Sequence, residues 1–250
     1  KADKYTFFKL EITELIDNKQ KPQLAELSID ASTELPYSDY TRTLDIDNAI
    51  HTVMYKENGI TFKREYFMSY PDNVMVMRLT SDSKKGKLSR IISLESLHTD
   101  KTITADGHTI TMTGYPTPVS GDKRVGDAWK NGLIYAQQLV VKNKGGKISV
   151  VDGTKLKVED ADEIIVLMSA ATNYVQCMDD SYNYFSQEDP LEKVQATLHK
   201  VADKKYTALL ATHQKDYHSL YDRMRLNLGN LPEAPVAPTD SLLKGMDENT

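Results

Sequence analysis

The feature that most constrains this chain is an alternation of apolar and polar residues with a period of two, from about residue 41 to residue 175. Successive side chains of a strand point to opposite faces, so this alternation is typical of half-buried sheets. Turn signals interrupt it at short intervals, and Asn58-Gly59 and Asp106-Gly107 favour two-residue hairpin turns. We count about ten to twelve strands without intervening helices. The pattern predicts a mainly β fold, an antiparallel β-sandwich, and argues against βαβ units.

Two segments are apolar over nearly their whole length. Val74–Leu79 predicts a central strand that is buried on both faces. Ile164–Met168 is the longest apolar run, and it has the length of a strand. No run approaches the roughly 20 apolar residues that a membrane-spanning helix needs.

A helical pattern replaces the alternation after Asp189. Pro190 suits the first position of a helix, and Asp189 suits its cap. Apolar residues then recur at helical spacing, with a break near Asp203-Lys204-Lys205 and a stop at Gly229. The two predicted apolar faces consist of Leu191, Val194, Leu198 and Val201, followed by Tyr206, Leu209, Leu210, His213, Tyr217, Leu220 and Tyr221.

These patterns divide the chain into four segments. We expect a strand hairpin in residues 1–36 and the β-sandwich in residues 37–188. A helical linker over residues 189–229 comes next. Residues 230–250 contain three prolines and are predicted to form an extended connection.

Charge and cysteine content exclude several classes of protein. The chain has 31 Lys and Arg against 36 Asp and Glu, a net charge of -5, which rules out a generally basic nucleic-acid binder. Its single cysteine, Cys177, excludes an internal disulfide and a site with several thiolate ligands. We interpret Cys177 as a buried spectator thiol.

Five segments, in sequence order, resemble the amino-terminal domain of glycoside hydrolase family 95, the α-L-fucosidases. The first, Tyr40–Ile50, is similar to that family's YxRxLDLDxAI segment. The other four lie at residues 61–72, 131–136, 161–174 and 213–229. Pro238-Thr239-Asp240 resembles the entry to the family's catalytic domain, so the resemblance extends over about residues 37–245.

This resemblance implies a supporting role for the sandwich. The family places its catalytic acid and its water-activating groups in a separate (α/α)6 barrel, which we expect to lie outside these 250 residues. The complete enzyme would remove α-linked L-fucose from fucosylated oligosaccharides or glycans, with inversion and without a cofactor. It would be secreted, periplasmic or at the cell surface of a bacterium. The chain alone is expected to be inactive, and its surface toward the barrel is expected to be apolar.

The opening of the chain departs from the family. A GNGRLGA-type motif is absent from the sequence, and residues 4–30 resemble the closing strands of a discoidin-like carbohydrate-binding module. We therefore expect residues 1–36 to be the end of such a module, inserted in the parent enzyme. Two other hypotheses stay open: a stand-alone carbohydrate-binding module, or an accessory domain of an α-galactosidase or a maltose-phosphorylase-like enzyme.

Aromatic residues supply the candidate contact sites. Trp129 is the only tryptophan and follows a loop rich in Gly and Asp, where an aromatic face beside polar groups suits sugar stacking. Tyr182 and Tyr184 lie close together and suit an interface with the barrel. The alternative for all three is packing in the core or at a strand edge.

Asp45 and Asp47 lie two residues apart on a predicted strand, so their side chains would share one face. Such a pair could hold a hard cation. We favour an exposed strand face beside buried Leu44 and Ile46.

Other titratable groups give weaker patterns. Glu95 and Asp100 flank His98, as an acid/base pair would, but solvated loop residues are the favoured interpretation. His213 and His218 are five residues apart, which differs from the four-residue spacing of helical zinc ligands. We therefore assign no catalytic, cofactor-binding or metal-binding residue.

Overall fold

The computed structural model describes residues 37–82, 88–116, 132–175 and 185–226, with single positions at 238, 239, 241 and 243. The chain divides into two units between Pro36 and Tyr37, and the described residues belong to the second unit. The hairpin predicted in residues 1–36 and most of the extension 230–250 thus lie outside the described residues, and the division into four segments stays a prediction. Among the helices described, none combines the length and the apolar character that crossing a bilayer requires.

Antiparallel strands dominate the described part of the chain, and two helices follow them. The strands are β1 (Ser38–Asp45), β2 (Ile50–Glu57), β3 (Ile60–Ser69), β4 (Val74–Ser81), β5 (Leu88–Ile92), β6 (Lys101–Asp106), β7 (Thr109–Gly114), β8 (Tyr135–Lys144), β9 (Lys147–Val151), β10 (Lys155–Ala161) and β11 (Glu163–Thr172). The helices are α1 (Pro190–Val201) and α2 (Tyr206–Tyr221). The predicted antiparallel sandwich with helices on its carboxyl-terminal side is confirmed.

The strands form one large and one small sheet. The large sheet has eight strands in the order β1-β2-β3-β4-β11-β8-β7-β6, and the small sheet has the order β5-β10-β9. β11 therefore pairs with β4 and β8, whereas β10, the strand that precedes it in the chain, belongs to the small sheet. It pairs with β8 along its whole length, from Glu163 opposite Lys144 to Thr172 opposite Tyr135.

The central strands of the large sheet are apolar on both faces. The small sheet covers one of these faces and the helices cover the other. On β11, Ile164 and Val166 pack toward the small sheet, while Ile165 and Leu167 pack toward the helices. Ile164 and Leu167 are both 0% exposed. Two-sided burial explains why the sequence shows a continuous apolar run here instead of alternation.

Tight turns lie at or next to the predicted Asx-Gly pairs, and the turn between β6 and β7 is Gly107-His108, one residue later than predicted. Asn58 and Gly59 have φ angles of 51° and 75°, as the turn between β2 and β3 requires. Gly145 and Gly146 join β8 to β9 with φ angles of 68° and 65°. A Cβ atom on Gly146 would lie 2.1 Å from the Glu159 carbonyl oxygen, so no other residue fits there.

The two helices begin and separate as predicted. The Asp189 side chain accepts a hydrogen bond from the Leu191 N–H at 2.8 Å and so caps α1, with Pro190 at its first turn. The break between Val201 and Tyr206 agrees with the Asp203-Lys204-Lys205 signal. The predicted stop at Gly229 is wrong, because α2 already ends at Tyr221, although no Gly or Pro follows it directly.

A charged cluster lies between the large sheet and the start of α2. Arg78 forms ion pairs with Glu65 and Glu163, and its guanidinium carbon lies 4.6 Å from the centre of the Tyr206 ring. Burial, followed by the negative charge of Glu65, raises the pKa of Tyr206 to about 12.

We predict that the chain loses stability as the pH rises from about 10 to about 12, in part through Tyr206. In this window the unfolded state releases the phenol proton, at a pKa near 10, while the folded state still holds it. The free energy of unfolding should fall less steeply in Tyr206→Phe. Urea unfolding at pH 9 and pH 11 measures the difference. Tyr70→Phe, at a side chain that is 85% exposed, is the control and should behave as the wild type does.

Candidate functional site

The second half of α2 is bonded to the turn between β1 and β2. Four side chains of the helix reach four successive residues of the turn. The pairs are Tyr217 Oη with the Ile46 carbonyl oxygen (2.5 Å), Tyr221 Oη with Asp47 Oδ1 (3.0 Å), Gln214 Nε2 with Asn48 Oδ1 (3.2 Å) and His213 Nε2 with the Ala49 carbonyl oxygen (3.0 Å). Partners in these pairs are 164 to 174 residues apart in sequence. We call this region, residues 44–51 with residues 213–226, the α2 end.

The turn at the α2 end is held by its own side chains as well. Asp45 Oδ1 accepts the Asn48 N–H at 3.1 Å, and Asp45 Oδ2 accepts the Asn48 side-chain amide at 2.8 Å. Ala49 has a φ angle of 53°, a left-handed conformation that costs a residue with a Cβ atom free energy. The bond that Asp47 accepts from the Tyr221 hydroxyl raises the pKa of Tyr221. The turn is therefore a built feature with several interlocking bonds.

The prediction that Asp45 and Asp47 share one strand face is wrong. β1 ends at Asp45, so Asp47 belongs to the turn and bonds to α2 instead. The expected burial of Leu44 and Ile46 is also wrong, since these side chains are 65% and 60% exposed. Alternation shows that a strand has one apolar face, but it does not show what covers that face.

His213 is a packed histidine. It is 7% exposed, and its ring lies 4.9 Å from the ring of Phe67. His218 lies 3.1 Å from Asp222 at the surface. Over the part of the chain that the structure describes, no three His, Cys, Asp or Glu side chains gather as a metal-binding group.

Exposed apolar side chains surround the α2 end. Six of them are more than half exposed, and we call this set the apolar rim: Leu44, Ile46, Met68, Leu220, Met224 and Leu226. An open apolar cavity of about 430 Å³ lies beside Leu44 and Met68. The sequence predicts an apolar surface toward the barrel but does not identify these residues, because they come from strands, a turn, a helix and the segment that follows it.

A larger cavity, of about 700 Å³, lies where β6, β7 and β8 meet the start of α1. Tyr115, Tyr135, Asp100 and Asp189 are among its lining residues. Aromatic faces next to carboxylates are the composition of many sugar subsites. Glu95 is not among the lining residues, so the cavity does not contain the pair that flanks His98.

Asn173 fixes the wall next to this cavity. It is 6% exposed, its Oδ1 accepts the Ile134 N–H at 2.9 Å, and its Nδ2 donates to the Gly132 carbonyl oxygen at 2.7 Å. Phe185 packs so closely on Gly132 that a Cβ atom there would lie 2.2 Å from its ring. Tyr174 and Phe185 form a β-bridge. Residues from three separate segments thus meet at one place.

The three aromatic candidates from the sequence, Trp129, Tyr182 and Tyr184, lie outside the described residues, as does Cys177. Their roles stay predictions. The described residues on either side of them include Gly132, Tyr174 and Phe185, the group that Asn173 and the β-bridge hold together.

We predict that Asp45→Ala lowers the free energy of unfolding by about 1–2 kcal/mol, since it removes both side-chain bonds of the turn. Asp47→Ala removes one exposed bond and should cost less than about 1 kcal/mol. Urea unfolding of the two variants, matched in charge, makes the comparison. Equal losses would contradict the assignment of Asp45 as the residue that holds the turn.

Curated proteins similar to this chain are α-fucosidases. "Probable alpha-fucosidase A" of Aspergillus niger is 28% identical over 90% of this chain and 28% of its own length. "Alpha-L-fucosidase 2" of Arabidopsis thaliana is 32% identical over 76% of this chain and 24% of its own length. The chain therefore spans about a quarter of the length of these relatives. Among solved structures, "Putative kojibiose phosphorylase from human microbiome" matches 74% of this chain at 11% identity, with a TM-score of 0.48.

The resemblance to an amino-terminal domain of α-L-fucosidases is thereby confirmed, and a family model adds to it. The model described as "Glycosyl hydrolase family 65, N-terminal domain" matches residues 9–177. The sequence motifs resemble family 95, so the two findings agree on an amino-terminal domain of a glycoside hydrolase and differ in the family number. Since the model matches more than half of the 250 residues, the chain belongs to the glycosyl hydrolase family 65 N-terminal domain family.

Proposed function

We propose that this chain is the non-catalytic amino-terminal β-sandwich of a family 95-like α-L-fucosidase, which releases fucose from fucosylated glycans. The names of the relatives support the activity, and the share of their length that the chain spans supports a partial role. The observation that carries the proposal is the apolar rim at the α2 end. It provides a surface through which a sandwich can pack on a catalytic (α/α)6 barrel.

The position of the rim supports this packing. α2 takes the chain to the rim and ends there at Tyr221, so the residues next in sequence, among them exposed Met224 and Leu226, belong to the rim themselves. Burying apolar surface is worth about 25 cal/mol per Å², and a rim of large side chains would contribute strongly to such an interface. The hydrogen bonds of α2 to the β1–β2 turn would keep the rim in one shape.

Four described carboxylates, two of them at the α2 end, have structural partners, which supports a non-catalytic role. Asp45 bonds within its turn and Asp47 bonds to Tyr221. Asp72 accepts bonds from Ser69 and Lys204, and Asp189 caps α1. A general acid must instead reach a glycosidic oxygen.

An activity assay of two proteins tests the proposal. The complete gene product should release the aryl group from an aryl α-L-fucoside, and the isolated 250-residue chain should not. Turnover by the pure chain, at a rate above that of a mock preparation, would contradict the non-catalytic role. A parallel assay with maltose, with and without free phosphate, addresses a second candidate, which the family 65 model favours: an accessory domain of a maltose-phosphorylase-like enzyme. Such an enzyme would cleave a disaccharide only when phosphate is present.

We predict that Ile46→Asp in the complete gene product weakens the packing of the sandwich on the catalytic part. A charge in a buried apolar interface is costly, so the thermal midpoint and the fucosidase activity should both fall. Val150→Asp is the matched control, since Val150 is 41% exposed and lies on β9 of the small sheet, which contributes no residue to the rim. Equal effects of the two variants would count against the rim as the interface.

Trp129, Tyr182 and Tyr184 are proposed as the sugar-contacting or barrel-facing residues of this domain. This proposal rests on their residue types and their place in the sequence. If Trp129 stacks on sugar, L-fucose or a fucosylated oligosaccharide should change the fluorescence of this single tryptophan in a saturable way. Unchanged fluorescence in the isolated chain, with a change only in the complete gene product, would assign the residue to the barrel interface instead. Saturable binding by the isolated chain would favour a carbohydrate-binding module.

The proposed enzyme acts outside the cytoplasm, in the periplasm, at the surface or in the medium of a bacterium. This location rests on the family resemblance, because fucosylated glycans are extracellular substrates. Cell fractionation with an antibody against this domain would test it, and recovery in the cytoplasmic fraction alone would contradict it.

A further inference from the structure

We propose that a crevice between the two sheets binds a small oxyanion. The crevice has a volume of about 320 Å³, near the lower end of the range of ligand pockets. Its walls come from β3 and β4 of the large sheet and from the end of β5 in the small sheet. The lining residues that matter are Arg64, Arg90 and Ser93, with apolar Met77, Leu79 and Ile92.

Two guanidinium groups converge on a single phenol in this crevice. Arg64 Nη2 and Arg90 Nη2 each donate to the Tyr55 hydroxyl oxygen at 3.2 Å. Both arginines are always protonated, so two positive charges meet at one phenol. Arg90 Nη1 also donates to the Ser89 carbonyl oxygen at 2.8 Å. Within the described ranges neither arginine has a carboxylate in ion-pair distance, whereas Arg78 has two.

The nearest acidic residue in sequence serves the other face of the sheet. Glu65 follows Arg64 on β3, so its side chain points to the helix side, where it pairs with Lys63 and Arg78. Aromatic rings hold the two crevice cations in place, with Arg64 over Tyr55 at 5.3 Å and Arg90 over Phe62 at 5.4 Å. These contacts orient the guanidinium groups without supplying a negative charge.

One donor of the pair is buried without a partner. The Nε atom of Arg64 is inaccessible to solvent and has no hydrogen-bond acceptor among the described residues. Burial of this donor without a partner adds to the cost of holding the positive charge of Arg64 here. An oxyanion in the crevice would supply a compensating negative charge to the two guanidinium groups that line it.

The chemistry of the crevice selects a carboxylate, sulfate or phosphate group. Each presents two or more oxygens to the planar fork of a guanidinium, and the Ser93 hydroxyl adds a third donor. The apolar walls lower the local dielectric and so strengthen these bonds. The group is either a free inorganic anion or the acidic group of a saccharide, and a titration with both kinds of probe separates these sources.

Isothermal titration of the pure 250-residue chain tests the proposal, with sodium sulfate, sodium phosphate and sodium D-glucuronate as probes at constant ionic strength. The wild type should bind at least one probe with saturation. Arg90→Gln should raise the Kd about tenfold or more. Arg90→Lys keeps the positive charge but lacks the planar fork of the guanidinium, so its Kd should lie between those of the wild type and Arg90→Gln. Arg223→Gln, an exposed arginine that follows α2, is the matched control and should bind as the wild type does.

Each result of these titrations either supports the proposal or contradicts it. If sulfate or phosphate binds and Arg90→Gln weakens that binding, the ligand is a free inorganic anion. If only glucuronate binds in this way, the ligand is an acidic saccharide. No binding of any probe, or equal binding by the wild type and Arg90→Gln, would overturn the proposal. Circular dichroism verifies that each variant folds. Since Arg64 is the more constrained of the pair, Arg64→Gln is a second variant, and Arg90→Gln decides the result if Arg64→Gln does not fold.

Discussion

The structure depends on the need to cover two apolar faces of one sheet. β4 and β11 are apolar on both sides, so a sheet that contains them at its centre is stable only between two further layers. The small sheet covers one face, and α1 with α2 covers the other. Val194, Leu198 and Leu209 are each 2% exposed or less, which shows that the helices belong to the core. The helical segment after the strands is therefore a structural layer of the domain as well as a connection.

This layering explains why the segments that resemble α-L-fucosidases meet in space. The first segment forms the β1–β2 turn, and the last one forms the part of α2 that bonds to it. Phe67, from the second segment, stacks on His213 of the last. Asn173, from the fourth, holds the backbone of Gly132, from the third. The motifs thus mark the contacts that set the position of the helices and of the loops at one end of the sheet, which is consistent with a supporting domain.

Local patterns in the sequence predict the elements well. Alternation gives the strands, Asn58-Gly59 gives a turn, and Asp189-Pro190 gives the start of α1. The pairing of β11 with β4 and β8 cannot be derived from the sequence, because register between distant strands depends on the whole core.

The exposure of Leu44 escapes prediction because a strand at the edge of the sheet has the same period as a covered one, and Ile46 is exposed because it lies in the turn after that strand. Arg64 and Arg90 lie on different sheets and meet at the Tyr55 hydroxyl. No local pattern in the sequence therefore indicates that the two arginines are close. Asp45 and Asp47 have the same side chain but different roles, because β1 ends at Asp45. Asp45 bonds within the turn, and Asp47 bonds to α2.

The two ends of the large sheet differ in the lengths of their connections. At one end, Asn58-Gly59 and Gly107-His108 close hairpins with two residues each, and Gly145-Gly146 connects β8 to β9 of the small sheet with two residues. At the other end, the connections from β5 to β6, from β7 to β8 and from β11 to α1 are all longer. A fluorescent label or an affinity tag placed at the hairpin end would therefore leave the opposite end free, and would report on this domain while it is joined to a larger enzyme.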